Sequence, residues 1–226
     1  MGPFASQRRL FILQGVIFCL TLGYMGCVPL PIRQGVHRMD GELLVDGQPV
    51  GPEAIIRPGD TVVTGSGGQT VLVMEENAFL LGEQTTVTFH ADPDPPVAQT
   101  AARHVSGLTG FSLQRGRILS VFGPGPKLLK VPSAVIGIRG TGIFLQVEPA
   151  QDYVCLCYGE AEIRMNADLA VSEVIHTRHH ESPRFLSGDG TIRKAPMLHH
   201  TDEELFMLEA LVNRRPPFKK TPSRYL

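Results

Sequence analysis

Two thiols and five imidazoles crowd the C-terminal part of this 226-residue chain: Cys155 and Cys157 stand two apart, and His176, His179, His180, His199 and His200 fall within 25 residues. On a β-strand, residues two apart project from the same face, so both thiols can reach one centre. An extended pair at that spacing holds its Cβ atoms beyond the roughly 3.8 Å that a disulfide prefers, which disfavours an S–S bridge between them. Two thiolates and two imidazoles are instead the N/S set of tetrahedral zinc, and also suit copper or a small iron–sulfur centre. The candidate ligands are Cys155, Cys157, one of His179/His180 and one of His199/His200, because neighbours on a strand face opposite ways. The plainer alternative is that the cysteines are small apolar core residues and the histidine pairs sit on a wet surface.

Other chemistry is poorly supported. Ser66 and Ser133 lie in turns, the acids are scattered, and neither a His-Glu-x-x-His nor a Gly-x-Ser-x-Gly pattern occurs. Gly137, Gly140 and Gly142 lack the Lys-Ser/Thr and the following helix start that grip a nucleotide, so they read as bends in a strand. A formal charge of -1 gives no basic field for a phosphate backbone. A non-enzymatic protein that binds neither nucleotide nor nucleic acid is expected.

The elements that must position the cysteines and histidines read as short strands. Asp46-Gly47 between Glu42–Val45 and Gln48–Val50 fits a tight hairpin, and Pro58-Gly59-Asp60 and Gly65-Ser66-Gly67-Gly68 are turns between further apolar runs. Thr61–Thr64, Gln69–Met74, Asn77–Leu81 and Thr85–Phe89 follow at even spacing, which points to an all-β roll or sandwich. Ala91–Gly107 is a proline-rich loop, Gly110–Leu113 and Arg117–Phe122 alternate as two strands, and Leu128–Val131 leads into the glycine-rich run. Two blocks, RPGDTVVTGSGGQTVLVMEENAFLLGEQTTVTF (Arg57–Phe89) and PSAVIGIRGT (Pro132–Thr141), resemble FecR-type domains, which are extracytoplasmic β modules, and they stand in that family's order. The resemblance spans about Gly41 to Ile163 and implies a mainly β single domain over residues 33–166, with a signalling or binding role. Members of that family relay ligand occupancy, often in iron uptake, to a cytoplasmic sigma-factor-binding segment. Only about nine residues precede the apolar segment here, so direct sigma-factor control is not expected.

Leu10–Ile32 is almost free of charge and follows Arg8-Arg9, so residues 1–32 read as an export signal or a membrane anchor, with a twin-arginine signal as one form. Cys27 after Gly26 is a candidate lipidation site. Residues 167–213 form a His-rich extension ending in a helix, with Thr201 and Glu204 as a capping box and Leu205, Leu208, Leu211 and Val212 as its apolar stripe. A disordered basic tail is expected over 214–226. The chain is thus expected on the periplasmic side of a cell envelope, as a binding or signalling module with an envelope protein partner. A metal- or redox-centre protein and a structural envelope protein are the alternatives.

Overall fold

The computed structural model describes residues 31–91 and 107–219. The export or anchor segment up to Leu30, Cys27, most of the proline-rich loop and residues 220–226 lie outside the described residues. Among the described residues no helix is long and apolar enough to cross a membrane.

The domain is mainly β, as its alternating runs imply. In chain order the strands are β1 (Gly35–Asp40), β2 (Leu43–Val45), β3 (Gln48–Pro49), β4 (Thr61–Thr64) and β5 (Gln69–Met74), then β6 (Asn77–Leu81), β7 (Thr86–Ala91) and β8 (Leu108–Val121). There follow β9 (Pro126–Val131), β10 (Ala134–Arg139), β11 (Gly142–Val147), β12 (Asp152–Met165), β13 (Ser172–Thr177), β14 (Arg184–Leu186), β15 (Ile192–Lys194) and the helix α1 (Asp202–Leu211). One sheet runs β1-β5-β6-β8-β11-β12-β14-β15. The other runs β3-β2-β4-β7-β8-β9-β10-β12-β13, with β8 and β9 parallel and every other pair antiparallel. Inward side chains of both sheets, Phe79, Phe89, Phe111, Ile136 and Ile163 among them, form the main core between them.

The sheets share β8 and β12, each 14 residues long. The sequence suggests two strands, Gly110–Leu113 and Arg117–Phe122, where the structure has the single β8. Glycine explains the difference. Gly116 (φ 82°) and Gly159 (φ 101°) let each strand turn from one sheet to the other while its pairing continues. A Cβ at Gly159 would lie 2.6 Å from Thr141 Cγ2, so the corner has no room for a side chain. At the start of β12, the buried Asp152 accepts hydrogen bonds from the Ser133 amide (2.9 Å) and hydroxyl, which ties the PSA turn to the cysteine strand.

The residues expected as an appended extension are in large part built into the sheets: β13 and β14 both pair with β12. What is appended begins near Pro196. There α1 lays Leu205, Leu208 and Val212 on the outer face of the first sheet, against Val71, Leu80, Leu119 and Phe144, while Leu211 is half-buried. Thr201 caps the helix: its hydroxyl accepts from the Glu204 amide (3.2 Å), and the Glu204 carboxylate accepts from the Thr201 amide (2.8 Å). At the other end the buried Glu209 accepts from the Tyr158 hydroxyl and from Arg214 Nε (2.8 Å), and Arg214 donates onward to the Glu76 carbonyl (2.7 Å). Arg214 and Phe218, whose ring lies 6.1 Å from that of Tyr158, are thereby held on the domain, which corrects the expectation of a disordered tail from residue 214.

Candidate metal centre

The alternation of β12 sends Val154 and Leu156 into the core between the sheets, and Cys155 and Cys157 to the outer face beneath α1. Both thiols are fully buried. Beside Cys155, β11 contributes Phe144, whose ring stacks on that of His200 at 4.5 Å and 9°. His200 precedes the helix cap, so the capping box that starts α1 also fixes where this imidazole stands. His180 arrives from the turn after β13, pinned by its amide donating to the Cys157 carbonyl (3.1 Å).

These four side chains converge. Cys155 Sγ lies 3.5 Å from His180 Nδ1, Cys157 Sγ lies 3.6 Å from His200 Nε2, and the two ring nitrogens are 3.1 Å apart. All four donor atoms fall within 4.8 Å of one another. His180 and His200 are 7% and 4% exposed, so the cluster is closed to solvent. The other two candidates go elsewhere. His199 is exposed, and His179, part-buried, directs Nε2 to Asp202 at 2.9 and 3.0 Å from its two oxygens. One member of each pair thus reaches the cluster, but not through strand alternation. Both pairs lie in turns with left-handed backbone at His180 (φ 54°) and His199 (φ 63°), and the His179 and His180 rings stay in edge contact at 4.9 Å, both facing Asp202, while only His180 turns Nδ1 to the sulfurs.

Each clustered imidazole has its far nitrogen engaged by a pure acceptor. His180 Nε2 faces Asp202 Oδ1 at 3.2 Å, and His200 Nδ1 faces the Leu198 carbonyl at 2.7 Å. A carboxylate and a carbonyl only accept, so a neutral ring protonated on its far nitrogen would offer an inward lone pair to a metal, whereas a ring protonated on both nitrogens would donate to the sulfurs. Asp202 is the functional residue that the sequence reading did not single out for this role. It stands in the first turn of α1, where it also faces the positive end of the helix dipole.

The thiols are unequal in this setting. Burial opposes a thiolate at Cys155, but hydrogen bonds from Cys157, His180 and His200 outweigh it and hold that thiol well below the ordinary range. Burial and the Cys155 sulfur push Cys157 well above it. Away from the cluster, two open clefts of about 690 Å³ each, one around Arg115 and Glu148 and one around Leu128 and Glu162, lack any cysteine or histidine.

Fold and cluster together define a two-sheet β domain with a closed Cys₂His₂ set on its outer face. No known family model matches the chain, and no curated protein matches it. Among solved structures it is similar to two crystal structures of a candidate anti-sigma factor from Parabacteroides distasonis, at 11% and 10% identity and a TM-score of 0.44 in both cases. The match covers 60% of this chain, and the chain spans 58% of each of those chains.

Proposed function

We propose that this protein is a non-catalytic β module built around a mononuclear zinc centre held by Cys155, Cys157, His180 and His200. The observation that carries the reading is the spacing of the four donor atoms. Bonds of about 2.3 Å to sulfur and 2.0–2.1 Å to nitrogen give a zinc tetrahedron edges of about 3.3–3.8 Å. The separations of 3.5, 3.6 and 3.1 Å sit close to those edges. The outer partners fit as well: a carboxylate and a backbone carbonyl on the far nitrogens are what orient metal-bound imidazoles. Two thiolates neutralise a divalent ion, which suits a dry site.

Copper and iron–sulfur fit less well. A blue-copper site takes two histidines, one cysteine and a weak axial ligand, whereas here two sulfurs share the centre. A two-iron centre with mixed ligands keeps its histidines on one iron and its cysteines on the other. In this cluster each histidine is paired with a cysteine instead. Four protein ligands leave no open position for substrate, so the ion's role is structural. The apolar Leu10–Ile32 and the FecR-type blocks support an exported or membrane-anchored protein that serves as a binding or signalling module in a cell envelope.

Elemental analysis of the full-length protein, purified without chelator, tests the centre. Close to one zinc per chain is expected, with cobalt replacement giving the intense visible bands of a tetrahedral thiolate site, and both lost in Cys155→Ser/Cys157→Ser. Wild-type protein that comes out metal-free and takes up no cobalt would overturn the reading.

A further inference from the structure

The two sheets end, among the described residues, in the edge strands β1, β15, β3 and β13. An open edge offers unpaired amides and carbonyls to any passing strand, and proteins blunt such edges with short strands, proline, bulges or charged side chains, lysine above all. Three of these edges are blunted. β3 is two residues long and contains Pro49; β15 is three residues long and carries Arg193 and Lys194; β1 has a register shift between Val36 and Arg38. The fourth carries one such device only, the charge of Glu173, which is neutralised by Arg184 of β14. β13, SEVIHT, keeps an unbroken register with β12 from Thr177 to Ser172 and contains no proline, lysine or arginine.

A second observation falls on the same edge. Of the five large hydrophobic residues that stand exposed among the described residues, three lie on or just before β13: Leu169 (68%), Val171 (36%) and Val174 (55%).

We propose that β13 is an interaction edge and that its partner is β13 of a second copy of this chain, the two pairing antiparallel about a two-fold axis at Val174. In a continuous sheet, opposed residues share a face, so this register sets Val174 against Val174, Ser172 against His176 and Glu173 against Ile175. The strand's two ionisable side chains therefore meet no like charge. Each is already partnered within its own copy: Glu173 accepts from Arg184 (2.6–3.2 Å), and His176 lies 3.3 Å from Glu160. Val174 gives a β-branched pair at the axis. The pattern also explains why one edge is left unguarded. A two-fold pairing consumes the open edge of both copies and closes, so no fibre follows.

Full-length protein with Cys19 and Cys27 replaced by serine, carrying Val174→Cys or, as a control, Leu128→Cys, tests this. Leu128 is comparably exposed (47%) but lies on β9, away from the edge. Mild oxidation should link most of the Val174→Cys chains as disulfide dimers and few of the Leu128→Cys chains. Val174→Lys should lose the dimer seen by light scattering while keeping the wild-type metal content and melting temperature, which separates a lost interface from a lost fold. A wild-type monomer at every concentration, cross-linking no better at 174 than at 128, or a dimer that survives Val174→Lys would overturn it. So would a strand from a different protein found on β13.

Discussion

His180 shows how much of the centre is decided by single atoms. Its Nδ1 can face the sulfurs as a lone pair only while Nε2 holds a proton, and Asp202 Oδ1, 3.2 Å away and in a side chain only 7% exposed, is the acceptor that keeps it there. Asn in its place brings an amide that can turn either a donor or a weaker acceptor toward the ring. Asp202→Asn is therefore expected to weaken zinc binding about 10–100-fold, the usual effect of losing such an outer partner, with the fold retained. Competition against a chromophoric chelator measures it; unchanged affinity would make Asp202 a helix-capping acid and nothing more. At this scale the sequence was half legible. The pairing of Cys155 with Cys157 followed from the period of a strand, which is a local property. The choice of His180 over His179 and of His200 over His199 did not, because it depends on left-handed turns at His180 and His199 that neither residue type dictates.

The helix α1 has ten residues, fewer than an isolated helix needs to persist in water, so its docking must hold it. Two anchors do so: the Thr201–Glu204 box beside His200, and Glu209 between Tyr158 and Arg214. Burial first, and the Glu209 carboxylate second, push the Tyr158 phenol far above its ordinary range, so it stays a donor at every working pH. Tyr158→Phe removes that donor and leaves a carboxylate oxygen short of a partner in a side chain 3% exposed. A bond to a charged group is worth about 1.5–3 kcal/mol, and a loss of that size in unfolding free energy is expected, read as a lowered denaturation midpoint with the slope unchanged. The helix itself was legible, because capping chemistry and a 3.6-residue stripe are written locally. The lengths of β8 and β12 were not. A glycine inside an alternating run reads as a break, and only the second sheet waiting beyond Gly116 and Gly159 makes it a corner instead.

Among the described residues, the buried apolar side chains fall into two groups that stand differently toward the proposed ion. The larger lies between the sheets, is drawn from the strands and their connections, and contains no residue of α1; even β14 and β15 contribute Leu186 and Ile192 to it. The smaller lies on the outer face of the first sheet and joins Cys155 and Cys157 to Leu205, Leu208 and Val212. Zinc would bind ligands on both sides of that second interface, since His200 enters with the helix while both cysteines belong to β12. Without the ion, two thiols and two imidazoles crowd one dry site with their ring nitrogens 3.1 Å apart, and undocking the helix segment is the least costly relief, because the core between the sheets is untouched. Chelation should accordingly raise amide hydrogen exchange over 196–219 and on the outer faces of β5, β6 and β11, and leave β7, β9 and β10 protected. Dye binding to the bared face around Val71, Leu80 and Phe144 should rise in parallel. If chelation instead unfolds every strand in one step, the ion holds the whole domain and the two groups are a single cooperative core. If it changes exchange nowhere, the helix docks without the centre.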